Sequence, residues 1–190
     1  MRAVVRLTIL AFAVVLMTGC YFDHPLTGSP SKDINTWLLG VWQSTDSKGR
    51  VSRAMVTPIS RGRYGVELAI PGKSARDIKR FMFEAWSSRV GDTTFLTLRC
   101  LESSGEIPTG AHAFVQIQLL DQNNVRIRLP ILDSDPSASA FELRKEVRAK
   151  LKSKTLYDEE KFSNWKRIEE VFWSTDGTPP AFTPLRNPTF

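Results

Sequence analysis

Two histidines and two cysteines are all that this 190-residue chain offers in side chains that titrate near neutrality or act as thiol nucleophiles. His24 lies in a run of Pro, Gly, Ser and Thr, and His112 stands where a loop meets a strand-like segment. Neither has a nucleophile beside it to activate. So few cysteines and histidines also speak against a Cys/His metal centre or a disulfide scaffold. Cys100 sits in the apolar run TTFLTLRCL with Arg99 adjacent and no histidine, the setting of a small core hydrophobe. Gly72-Lys73-Ser74 ends like a phosphate-binding loop, but the place five residues before Gly72 holds Glu67, where the loop needs glycine. Glu159-Glu160 and Glu169-Glu170 are adjacent pairs that point to different sides of a helix or strand. One catalytic route stays open, in which Glu67, Glu84 or Asp92 converge across strands on a shared cavity, with one carboxyl desolvated. The expectation is no catalytic residue, no metal ligand and no cofactor.

Cys20 has a different setting. Met1 to Arg6 carries two positive charges, and Leu7 to Met17 (LTILAFAVVLM) is an uninterrupted apolar run, the two parts of an export signal. From Leu7 to Phe22 the uncharged stretch is too short for a comfortable span, which wants about 20 apolar residues. Thr18, Gly19 and Cys20 then follow, and with Met17 they resemble the lipobox of bacterial lipoproteins. That resemblance implies a signal peptide over 1–19 and a lipidated, N-terminal Cys20. It departs from the family at Met17, where Leu, Val or Ile is usual. Two or three acyl chains anchor a protein stably where one does so only marginally. Tyr21 rather than Asp after the cysteine implies an outer-membrane address facing the periplasm.

Composition bounds the rest. Removing Arg2 and Arg6 from 26 basic residues leaves 24 against 20 acidic ones, a net +4 that predicts no nucleic-acid partner. The 42% hydrophobic and 24% charged content is that of an ordinary globular protein and rules out disorder. A single domain is expected.

The elements that must position any site follow from hydrophobic period. Residues 20–32 read as a lipidated tether, and Asp33 to Leu39 as one or two helical turns capped by Ser31 or Asp33. The body, 33–174, begins with seven strand candidates: Leu39 to Ser44, Val51 to Ile59, Arg63 to Ile70, Ile78 to Ser88, Thr93 to Leu101, Ala113 to Leu120 and Val125 to Ile131. Alternation is clearest where Tyr64, Val66, Leu68 and Ile70 share one face. Short links make these an antiparallel meander, which must curl or close to hide its edges. Phe81 to Trp86 and Thr94 to Cys100 are apolar on both faces, so something must cover the outer wall. The cover follows at 137–168. Ser139 and Glu142 form a capping box, and Ala140, Leu143, Val147 and Leu151 share a helical face. Phe162, Trp165 and Ile168 suggest a weaker second helix over Asp158 to Ile168. Val171 to Ser174 reads as a last strand and 175–190 as an irregular tail.

Gly40-Val41-Trp42, opening the first strand behind a short helical segment, resembles the G-x-W signature of lipocalins. The stretch from Pro25-Leu26-Thr27 to Leu38-Leu39-Gly40-Val41-Trp42 is similar to the start of uncharacterised small bacterial lipoproteins with a lipocalin-like body. The resemblance implies a mainly β fold, a lipocalin-like barrel or strongly bent sheet with one or two C-terminal helices. It also implies that Trp42 plugs the closed end under a basic residue from a late strand, with Arg126 and Arg128 the candidates.

Three functions remain. One is a non-catalytic envelope lipoprotein holding an apolar or amphipathic small molecule. The second is a structural or assembly lipoprotein binding another envelope protein through a sheet edge or the helix surface. The third is an enzyme using strand carboxylates. The basic run Arg144 to Lys154 could rest on anionic headgroups or form a solvated face.

Overall fold

The computed structural model describes residues 21–30, 35–72, 77–104, 107–158 and 162–169. The predicted signal, Cys20, Ser31, Asp33, Val171 to Ser174 and the tail lie outside them.

Eight antiparallel strands close into one barrel in chain order: β1 (Gly40–Thr45), β2 (Val51–Ser60), β3 (Arg63–Pro71), β4 (Ile78–Val90), β5 (Thr93–Ser103), β6 (His112–Leu119), β7 (Asn124–Arg128) and β8 (Phe162–Glu169). Seven fall where the alternating pattern puts them. β7 stops short of Ile131 because Pro130 has no N–H to add to a ladder.

The eighth is a correction. Phe162 to Ile168 forms no second helix; it pairs with β7 (Val125 opposite Trp165) and with β1 (Trp42 opposite Arg167). The physical reason is edge satisfaction. Without β8, β1 and β7 would each present an unpaired row of N–H and C=O groups, and a weak helical pattern does not outweigh that ladder. In period-two terms Trp165 shares Val125's inward side, while Phe162 and Ile168 remain exposed. Closure also leaves no free sheet edge among the described strands for a partner to extend.

The barrel has two unlike ends. Two- to four-residue turns after β2, β4 and β6 lie at one, and the longer connections after β1, β3, β5 and β7 at the other. A single 3-10 turn, Thr36–Leu38, leads into β1 at the short-turn end. It is one turn, within the expected one or two, and is capped not by Ser31 or Asp33 but by the side chain of Asn35, which accepts from Trp37 N–H. Gly40 follows with φ 130°, a conformation that L side chains rarely adopt.

Outside the barrel lies the expected cover. Helix α1 (Ala140–Ser153) begins with the predicted capping box: Ser139 Oγ accepts from Glu142 N–H, and Glu142 accepts from Ser139 N–H at 2.8 Å. Its buried face, Leu143 and Val147, packs with Val90, Phe95 and Phe114 on the outer wall. Residues 21–30 correct the tether reading, because they join this same layer. Phe22 is 4% exposed and Leu26 fully buried, both within that cluster. A second apolar layer fills part of the interior with Ile70, Phe81, Phe83, Cys100 and Ile107.

Candidate functional site

β1 to β8 alternate, so every second residue points into the barrel. Trp42, Ala54 and Leu68 are consecutive cross-strand partners on β1, β2 and β3, and Phe81 follows on β4. Toward the long-loop end this interior is packed by Ile70, Phe81, Cys100 and Ile107. Elsewhere it is not filled. A cavity of about 90 Å³ remains, bounded by Leu38, Trp42, Ala54, Val56, Tyr64, Val66, Leu98, Ile117, Val125, Ile127 and Trp165 among others. A single water needs roughly 10–15 Å³ by the same measure, so the space is larger than one water requires.

Its wall is hydrocarbon, and its polar atoms are engaged. Trp42 Nε1 donates to the Leu38 carbonyl at 2.9 Å and Trp165 Nε1 to Ser163 Oγ at 2.8 Å. The Tyr64 hydroxyl accepts from Asn35 N–H at 2.5 Å, and burial pushes its pKa up, so it stays neutral. Val56, Val66, Leu98, Ile117 and Ile127 face inward yet are only half-buried. In a filled barrel such residues would be closed off completely.

Trp42 is buried against the barrel interior, and it has a basic residue over its ring. The residue is neither Arg126 nor Arg128. Arg167 of β8 lies 4.9 Å from the Trp42 centroid and also donates to the Trp37 carbonyl. Arg126 covers Phe162 at 4.4 Å and Arg128 lies 5.8 Å from the Tyr157 ring. The cause is register: closure brings Arg167 directly opposite Trp42.

Glu67, Glu84 and the turn residue Asp92 do not converge on this space. Glu67 and Glu84 alternate with the cavity-lining Val66, Leu68 and Phe83 and so belong to the outer wall. Glu67 pairs with Arg80 at 3.2 Å, Glu84 with Arg63 at 2.8 Å and Arg99 at 3.4 Å, and Asp92 with Arg89 at 3.2 Å. Cys100 is buried, its thiol pushed up in pKa by that burial, with Sγ 3.9 Å from the Ile107 carbonyl oxygen. His112 is buried outside the barrel with its ring edge-on to Trp86. Among the described residues no three His, Cys, Asp or Glu side chains are grouped to hold a metal ion. Glu159, Glu160 and Ser74 lie outside the described residues.

Sequence reasoning missed Ala54, Tyr64 and Trp165 as cavity residues, and Arg167 as Trp42's partner. Ser163, Trp165 and Arg167 repeat at period two, which could have marked the segment as a strand with Trp165 on one face, but the partner of Arg167 depends on the β8–β1 pairing. No protein-family model, curated protein or solved structure matches this chain.

Proposed function

We propose that the chain is a membrane-anchored, non-catalytic lipoprotein of the bacterial envelope, held by lipid on Cys20 at the periplasmic side of the outer membrane, whose barrel takes an apolar or amphipathic small molecule. The observation that carries the binding role is the half-buried apolar lining around the cavity. Eight-stranded barrels are just wide enough either to fill with side chains or to keep room for one small ligand, and this one leaves room. A guest there meets hydrocarbon and two indole rings, each methylene it buries contributing about 0.8 kcal/mol. The apolar part of such a guest suits this lining, whose indole N–H groups are already engaged. The non-catalytic part draws support from the carboxylates: Glu67 and Glu84 are tied to arginines on the outer wall, and Asp92 pairs with Arg89 in the exposed β4–β5 turn. For the anchor, the support is the charged start, the apolar run and the small residues before Cys20. Among the described residues no helix is long and apolar enough to cross a membrane.

The test is a fluorescence titration of the purified protein with dodecanoic acid and with a dodecyl-chain detergent below micelle formation. Trp42 and Trp165 line the cavity, so quenching or a blue shift that saturates is expected. No change with either amphiphile would put the partner-binding reading ahead, with the surface of α1, where Phe141 is 65% exposed, as its place of contact.

A further inference from the structure

The N-terminal segment bears on how the barrel stands on its membrane. A free tether of ten residues would reach about 33 Å in any direction and impose no orientation. Residues 21–30 are not free. Phe22 and His112 exchange two backbone hydrogen bonds of 2.8 and 2.7 Å, and Asp23 N–H donates to the Pro136 carbonyl at 2.8 Å. The Phe22 ring stacks on Phe114 with centroids 5.4 Å apart. Further along, Arg144 donates to the Leu26 carbonyl at 2.7 Å and Trp86 Nε1 to that of Thr27 at 3.0 Å. Thr27 Oγ1 also meets Ser88 Oγ at 2.8 Å. The segment is thus a strap fastened along the outer wall at several points.

Its direction is fixed by its partners. His112 opens β6 and so belongs to the long-loop end, whereas Ser88 lies near the close of β4, toward the short-turn end. Tyr21 packs against the interior cluster. Cys20 immediately precedes Tyr21, so one peptide link of about 3.8 Å separates the two Cα positions. An anchor on that residue has almost no slack.

We propose that the strap seats the barrel on the bilayer with its long-loop end toward the lipid and its Trp42 end toward the aqueous compartment. The occupant of the long-loop face is then a phospholipid surface. This rests on the reading that Cys20 is acylated, and the experiment separates the two. Membrane-extracted protein is first analysed by mass spectrometry; an unmodified Cys20 would sink the anchor itself. With acylation established, a fluorophore is placed at Thr109→Cys in the β5–β6 loop or at Asn123→Cys in the β6–β7 turn, each in a Cys100→Ala background. Each protein is reconstituted in phosphatidylethanolamine and phosphatidylglycerol vesicles carrying headgroup-nitroxide lipid. The label at 109 should be quenched several-fold more than the label at 123. Equal quenching, or the reverse order, overturns the proposal. The reverse would place the exposed Trp37, Ile59 and Leu120 of the short-turn end against the lipid instead. A flexible Gly/Ser insertion of about ten residues between Cys20 and Tyr21, with a root-mean-square reach of roughly 17 Å, leaves the strap intact. It should abolish the difference while the protein stays membrane-bound; a difference that persists shows that the strap does not set the orientation.

Discussion

Ala54→Leu separates a barrel with room inside from one that is packed solid, because the two give opposite signs. Ala54 faces inward between Trp42 and Leu68 and is only half-buried, with the cavity in front of it. Leucine adds three carbons. If they enter vacant apolar space, transfer contributes up to about 2.4 kcal/mol at roughly 0.8 per methylene. If that space is occupied by side chains, the same carbons cost about 1–3 kcal/mol in strain and displaced neighbours. We expect the urea midpoint to hold or rise with an unchanged slope. The guest loses the same three methylene contacts, so dodecanoic acid should bind about fifty-fold more weakly, taking 1.4 kcal/mol as tenfold. Equilibrium urea unfolding and tryptophan titration on the same samples read both effects. A destabilised variant with unchanged amphiphile binding would refute the reasoning, since the carbons would then have met packed side chains and the guest would lie elsewhere.

Three further outcomes follow from particular contacts. Arg167→Met keeps the length of the side chain but removes the cation over Trp42 and the hydrogen bond to Trp37, and should cost about 1–3 kcal/mol in urea unfolding. Gly40→Ala forces a Cβ onto a residue at φ 130° and should cost about 1–3 kcal/mol, read as a lower thermal midpoint with the barrel's circular dichroism retained. His112 makes stability depend on pH. Burial lowers its pKa below 6.5, helped by the positive charge of Arg99 and the proximity of His24 and opposed by backbone contacts from Phe22 and Asp23. The unfolded chain therefore binds the proton first, so the stabilisation is complete above the unfolded pKa and is lost as pH falls through the folded one. Acidifying from pH 7 should lower unfolding free energy with a slope of up to about 1.4 kcal/mol per pH unit. His112→Gln should flatten that slope; an unchanged slope would show that another group carries it.

The strands were legible because their signal is local. Tyr64 to Ile70 and Ala113 to Leu119 alternate so regularly that only a half-buried strand satisfies them, and the glycines of the two tight turns, Gly62 and Gly91, adopt positive φ. The capping box of Ser139 and Glu142 is equally local, and α1 begins one residue after Ser139. What the sequence hid depends on distant partners. Phe162, Trp165 and Ile168 fit a helical face on their own, and only the unpaired edges of β1 and β7 make that segment a strand. Arg167 could not be matched to Trp42 before that closure was known, since the two are brought opposite each other by β8 pairing with β1. The Pro- and Gly-rich start looked like a linker because its own composition favours turns. Phe22 and Leu26 are its buried apolar anchors, and their sockets are built from β4, β5, β6 and α1.

The unfilled interior has a cause in the same residues. Bulky side chains are not spread evenly around the barrel. Ile70, Phe81, Phe83, Cys100 and Ile107 fill the space beneath the long loops, while Ala54, Val56 and Val66 bring short side chains to the cavity that Trp165 also lines. The two-sided apolar strands explain how the fold tolerates that imbalance. Part of the chain's apolar burial has moved to the outer wall, where Phe95, Phe114 and Val90 pack under α1 and the strap. Stability is therefore drawn from two layers, and the inner one need not reach full density. Leu143→Ala should remove about 2–5 kcal/mol from the outer layer without touching the cavity. If that variant, still folded, binds dodecanoic acid as the parent does, the layers are independent. A parallel loss of binding would mean that the outer layer holds the cavity open.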